Sequence, residues 1–121
     1  MDISDLKTRP LHDEGAEMRV KGPNGKLTDF YITLVGCDSE AWEKIVRDAQ
    51  KAALKTGDGV DSKQLLAKAT LGWRGLKENG KDVVFTTKKV YELYTQAPYI
   101  YEQADLFVAN RGNFLKPKSK K

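Results

Sequence analysis

From Ala16 to Val35 apolar and polar positions alternate with a period of two. Met18 and Val20 precede Gly22-Pro23-Asn24-Gly25, and Phe30, Ile32 and Leu34 then alternate with Tyr31, Thr33 and Val35. Alternation interrupted by a glycine- and proline-rich turn predicts a β-hairpin. A hairpin alone is only marginally stable, so one of its faces must pack on helices. Beyond Gly36 the period lengthens. Asp38 or Ser39 caps a helix with Trp42, Ile45, Val46, Ala49 and Ala53 in one apolar stripe, and Glu40 and Glu43 suit the positive end of its dipole. Gly57 and Gly59 stop it. Asp61 or Ser62 caps a second helix with Leu65, Leu66 and Ala69 inward, ending at Gly72. Thr86 or Thr87 starts a third, with Val90, Tyr91 and Tyr94 on one side. Pro98 fits the first turn of a fourth, which turns Ile100, Tyr101, Ala104, Phe107 and Val108 inward and runs to about Asn110.

These elements predict an α+β, mainly helical fold, an N-terminal β-hairpin packed on a compact bundle of about four short helices. A chain of 121 residues supports one modest core, burying roughly two-thirds of the surface of the unfolded chain. The expected organisation is a flexible polar arm over residues 1–15, a single globular domain over 16–115 and a disordered basic tail over 116–121.

Charge changes the picture less than its total suggests. The net charge of +4 and a pI near 9.1 point toward a nucleic-acid partner, but Lys116, Lys118, Lys120 and Lys121 account for much of the excess. Lys44, Arg47 and Lys51 lie among Glu40, Glu43 and Asp48, so no basic stripe is expected on the body. No apolar run approaches a bilayer span, and MDISDLKTRP has no secretion-signal block, so a cytoplasmic location is expected. Cys37 and His12 are the only residues of their kinds. Their expected states are a small buried thiol and a solvated imidazole, with no metal or cofactor site.

Four features resemble chemistry. Gly75 to Lys81 reads GLKENGK, the first seven positions of a phosphate-binding loop. Such a loop needs a preceding strand, a hydroxyl after the lysine for magnesium and a following helix. Here a helix precedes, Asp82 replaces the hydroxyl, and Val83-Val84-Phe85 reads as extended. Glu78-Asn79-Gly80 is a polar bend instead. Glu102 and Asp105 share a helix face directed at solvent, without the converging geometry of acid–base catalysis. Asp58-Gly59-Val60-Asp61 lacks the remaining ligands of a calcium loop. Ser39 and Ser62 are occupied by capping. The expectation is a protein that is not an enzyme.

The aromatic residues carry the binding expectation. Tyr91, Tyr94, Tyr99 and Tyr101 crowd the junction of the third and fourth helices, with Trp73 and Phe85 upstream, and they cannot all point inward from two short helices. Tyrosines left partly exposed favour protein contact. Tyr31, with Thr33 and Val35, is the corresponding candidate on the hairpin, as a sheet edge or an oligomer seam.

From Leu65 to Phe114 the order of residues resembles the tail assembly chaperones of long-tailed, lambda-like siphophages. The matching features are a helix leading into Gly72-Trp73, the polar turn Asn79-Gly80-Lys81, Phe85 before the Thr86-Thr87 cap, Pro98-Tyr99 opening a last helix, and a closing Asn113-Phe114. The N-terminal hairpin and the Trp42 helix agree only in general character. The resemblance implies an assembly factor in the host cytoplasm that coats the tape measure protein, keeps it soluble and self-associates as a homo-oligomer. It also implies a longer frameshifted product that recruits tail tube subunits, for which the adjacent Lys120-Lys121 offers a candidate slippery site beside the plainer reading of a solubilising tail. The alternative is a small basic nucleic-acid-binding protein.

Overall fold

The hairpin forms where the alternation puts it. The computed structural model of the chain describes residues 1–115 and shows an α+β, mainly helical fold; the expected basic tail lies outside the described residues. Strand β1 (Ala16–Lys21) pairs antiparallel with β2 (Leu27–Leu34), Met18 opposite Ile32 and Arg19 opposite Tyr31. Met18, Val20, Phe30, Ile32 and Leu34 all face inward and are buried. Between the strands Gly22 N–H donates to the Lys26 carbonyl, and Gly25 takes a left-handed conformation at φ +80°.

A third strand completes the sheet, and it corrects the sequence reading. Helix α3 (Ser62–Ala69) stops before Gly72. Thr70–Arg74 then runs extended as β3, antiparallel to β2, with Trp73 opposite Ile32 and Arg74 opposite Tyr31. Thr70 is the switch residue. Its backbone turns to the extended region while its hydroxyl donates back to the Leu66 carbonyl at 2.8 Å, closing the helix end. The strand order β1-β2-β3 makes β2 central. Tyr31, Thr33 and Val35 are therefore not a sheet edge, and Val35 is buried.

The helices close over the inner face of this sheet. Leu66 and Ala67 of α3, Val90 and Tyr94 of α4 (Thr87–Gln96), and Ile100, Ala104 and Val108 of α5 (Pro98–Ala109) join the strand residues in one core. Each fully buried aliphatic side chain contributes roughly 1.5–3 kcal/mol. The caps are local: Asp61 accepts from Lys63 N, and Thr86 from Lys89 N. Helix α2 (Glu40–Thr56), capped by Ser39, differs from the rest. Its stripe of Trp42, Ile45, Val46, Ala49 and Ala53 is only half-buried, and no residue of this 17-residue helix is fully covered.

Residues 1–15 depart from the expected free arm. Ile3–Leu6 forms a 3-10 turn, and α1 (Arg9–Glu14) packs on the body with His12 buried. The expected solvated imidazole is therefore an interior one. Its ring stacks on Phe114 at 4.7 Å. The signal was faint because His12 is the one fully buried side chain of the segment and its other anchors, Thr8, Arg9 and Asp13, are polar residues bonded to distant parts of the chain. The opposite loop accommodates the ring only through Gly36, where an added Cβ would fall 2.0 Å from His12 Nδ1.

The GLKENGK stretch is a turn as expected, although strand β3 and not the expected helix leads into it. Lys77–Glu78 (β4) and Lys81–Asp82 (β5) form a small hairpin whose Asn79 and Gly80 sit at φ +53° and +80°, the double left-handed bend that Asn-Gly favours.

Candidate functional site

The five candidate tyrosines separate into four places. Tyr94 is fully buried, which removes it from any contact surface. Its hydroxyl lies 2.9 Å from Thr70 Oγ1, and burial pushes its pKa up to about 12. The spacing rule for α4 that puts Val90 inward also puts Tyr94 inward, and Thr70 gives its polar tip a partner.

Tyr91 and Tyr101 are half-buried and clasp the start of α3 from two helices. The Tyr91 hydroxyl donates to Asp61 Oδ2 at 2.7 Å, and the Tyr101 hydroxyl donates to Ser62 Oγ at 2.9 Å. The first bond lowers the Asp61 pKa and raises that of Tyr91. Tyr94 and Tyr101 meet edge to face at 6.2 Å. The hydroxyls of Tyr91 and Tyr101 are therefore committed internally, and Lys63 Nζ lies 5.8 Å from the Tyr101 ring centroid. Tyr99 lies apart, lining a shallow groove of about 320 Å³ with Pro23, Gln103 and Leu106. In that groove the Gln103 amide bonds both the N–H and the carbonyl of Lys21 at 2.8 Å, capping part of the β1 edge as a strand neighbour would.

Tyr31 occupies the outer face of the sheet within a transverse row. The Arg74 guanidinium lies 3.9 Å from its ring centroid and that of Arg19 lies 5.7 Å away. Arg74 is bidentate to Glu17 at 2.7 and 3.0 Å, and Arg19 reaches Thr28 O and Asp29. The row is thus locally neutralised, and the Tyr31 ring is sheathed by cations.

A second cluster went unnoticed in the sequence. Asp38 accepts from Thr8 Oγ1 at 2.6 Å and from Arg111 Nε and Nη2 at 2.6 and 2.9 Å, joining the segment before α1, the N-terminus of α2 and the C-terminal 3-10 turn. The Arg111 hydrogen bonds, aided by Thr8, hold the Asp38 pKa down to about 2. Only contacts 30 and 73 residues apart in sequence assemble it. Cys37, half-buried and not the buried thiol expected, and His12 bring their ligand atoms within 4.8 Å of this carboxylate.

The donor set does not suit a metal or a thiol nucleophile. His12 Nδ1 accepts from Asp38 N at 3.0 Å, so the neutral ring carries its proton on Nε2 and has no free lone pair there. That Nε2 is buried without a partner, 3.7 Å from Asp38 Oδ2. It cannot ligate an ion or take the Cys37 proton without giving up the backbone bond. Both Asp38 oxygens are engaged, and the Arg111 cation opposes another positive charge. The arrangement is a structural hub.

Of the remaining candidates, Ser62 departs from its expected capping role, its hydroxyl accepting from Tyr101 instead. Ser39 Oγ accepts from Trp42 N, Asp61 caps α3, and Glu102 and Asp105 are exposed. Among the described residues no helix is long and apolar enough to cross a membrane. Compared with known proteins, the chain matches no family model, no curated protein and no solved structure.

Proposed function

We propose that this chain is a phage tail assembly chaperone, which binds the tape measure protein and keeps it soluble until the tail tube forms around it. The observation that carries the reading is the uncovered apolar surface on a well-packed body. The α2 stripe is half open, and Leu54, Val84 and Leu106 are exposed at 86%, 76% and 72%. A client that is long, helical and partly apolar aggregates through its own patches, and many small binders prevent this by covering them. Such work needs no reacting group, only a rigid body, an apolar surface and repeated weak contacts.

The residues of the family resemblance sit at joints of the fold. Trp73 packs edge to face with Phe30 and Phe85 at 6.0 and 5.1 Å, and Phe114 with Phe107 at 5.3 Å. They support the reading as packing residues, with the contact surface elsewhere. The homo-oligomer, the host cytoplasm and the longer product that recruits tail tube subunits belong to the same proposal. Co-expression with the tape measure protein of the same phage tests it. The client is expected to move from the pellet to the soluble fraction and to co-purify; an insoluble client with no complex would sink the reading.

A further inference from the structure

Helix α2 carries a row of positive charge that its acidic neighbours offset only in part. Lys44, Arg47, Lys51 and Lys55 recur every three or four residues, on the side opposite the half-buried stripe, and all four are exposed. Lys44 is ion-paired with Asp48 at 2.9 Å. Arg47, Lys51 and Lys55 form no ion pair among the described residues. Asp48 also lies within electrostatic reach of Arg47 and Lys51, Glu40 shares this side in the first turn, seven positions before Arg47, and Glu43 is taken by Arg9. Like charges three and four residues apart disfavour a helix, so the row is not explained by the stability of α2 itself.

One apolar residue stands in this strip. Leu54 is 86% exposed, three positions beyond Lys51 and seven beyond Arg47, hence on the same side. Trp42, the one aromatic of α2, lies on the opposite, covered side. A surface that tracks single-stranded nucleic acid combines cations with aromatic platforms for the bases, which this strip lacks; an exposed leucine among cations suits a protein helix.

We infer that the outer face of α2, from Lys44 to Lys55, docks a helical segment of a partner protein that carries acidic residues every third or fourth position beside an apolar one meeting Leu54. The row extends about 16 Å at 1.5 Å per residue, and two helices share that rise, so acids spaced by one turn stay opposite the cations over three turns. This deepens the chaperone reading and rests on it: the tape measure segment taken by α2 is acidic along one edge.

The test compares the wild-type chain with Arg47→Glu/Lys51→Glu/Lys55→Glu. The probe is a synthetic helical peptide bearing Glu at every fourth position beside leucines, and its control is the same peptide with Lys for Glu. Wild type is expected to bind the acidic peptide at least about tenfold more tightly than the variant does, and to lose about tenfold in affinity between low and physiological salt. Equal binding by the variant, or equally tight binding of single-stranded DNA or anionic vesicles, overturns the inference. If the triple reversal melts early, Arg47→Gln/Lys51→Gln/Lys55→Gln carries the same test. Co-expression separates the two ideas. A wild-type chain that binds the peptide but never the tape measure protein keeps the docking strip and removes the chaperone reading. A variant that holds the client as well as wild type does the reverse.

Discussion

Replacing Asp38 by Asn leaves the size of the side chain and removes the charge that both terminal segments use. The Asp38 carboxyl sits at about 2, against an ordinary value near 3.8, chiefly because Arg111 and then Thr8 bond its ionised form. A depression of that size corresponds to about 2 kcal/mol of folding free energy. A carboxylate whose pKa is lowered in the folded state contributes stability above its unfolded pKa. That contribution is fully present near pH 6 and is lost as pH falls through about 4 toward 2. Glu17, Asp48 and Asp61 are also lowered, by Arg74, Lys44 and Tyr91 respectively, but they are common to both proteins and cancel in the difference. Urea unfolding followed by circular dichroism at steps between pH 7 and pH 2.5 measures it. Wild type should exceed Asp38→Asn by about 2 kcal/mol at pH 7, and the gap should narrow to less than half of that by pH 2.5. A constant gap, or matching acid limbs, would refute the assignment of this charge to the hub.

The other predictions concern single contacts. Tyr94→Phe removes a buried hydroxyl but leaves Thr70 bonded to Leu66, so thermal or urea unfolding should show a loss of only about 1 kcal/mol. Gly36→Ala places a methyl against the His12 ring and should expel α1, seen as new protease cleavage within residues 1–14 while the core stays protected. Gly80→Val forces a β-branched residue into the left-handed bend at φ +80° and should cost roughly 1–2 kcal/mol by urea unfolding. Ser39→Ala removes the α2 cap and should cost about 1 kcal/mol, with loss of helical signal ahead of global unfolding.

The parts of the fold that were legible in sequence are those held by local rules. The hairpin register follows from alternation between Met18 and Leu34, and each cap at Ser39, Asp61 and Thr86 lies within three residues of the amide it serves. Strand β3 was misread because Lys68 to Arg74 satisfies two patterns: Leu65, Leu66 and Ala69 continue a helical face, while Ala69, Leu71 and Trp73 alternate with polar or small residues. Pairing with β2, some 40 residues upstream, decides between them, and no local window contains that partner. The same holds for the hub. Thr8, His12, Asp38 and Arg111 are ordinary polar residues until the chain brings them together.

The surface was legible only in outline. Counting tyrosines indicated that some must be exposed, and Tyr91, Tyr99 and Tyr101 are half-buried while Tyr94 is interior. The dilution of the α2 cations by neighbouring acids holds for Lys44, which Asp48 pairs, and extends in part to Arg47 and Lys51. In the fold Glu43 turns to Arg9, and Arg47, Lys51 and Lys55 share one side.

The central claim is that this chain shields an aggregation-prone helical client. Its most direct measurement is light scattering from purified tape measure protein diluted out of denaturant, with increasing amounts of the chain present. The account predicts that scattering falls with added chain and vanishes once several copies are present per client. Scattering unchanged at that excess, with the chain itself folded, would contradict it.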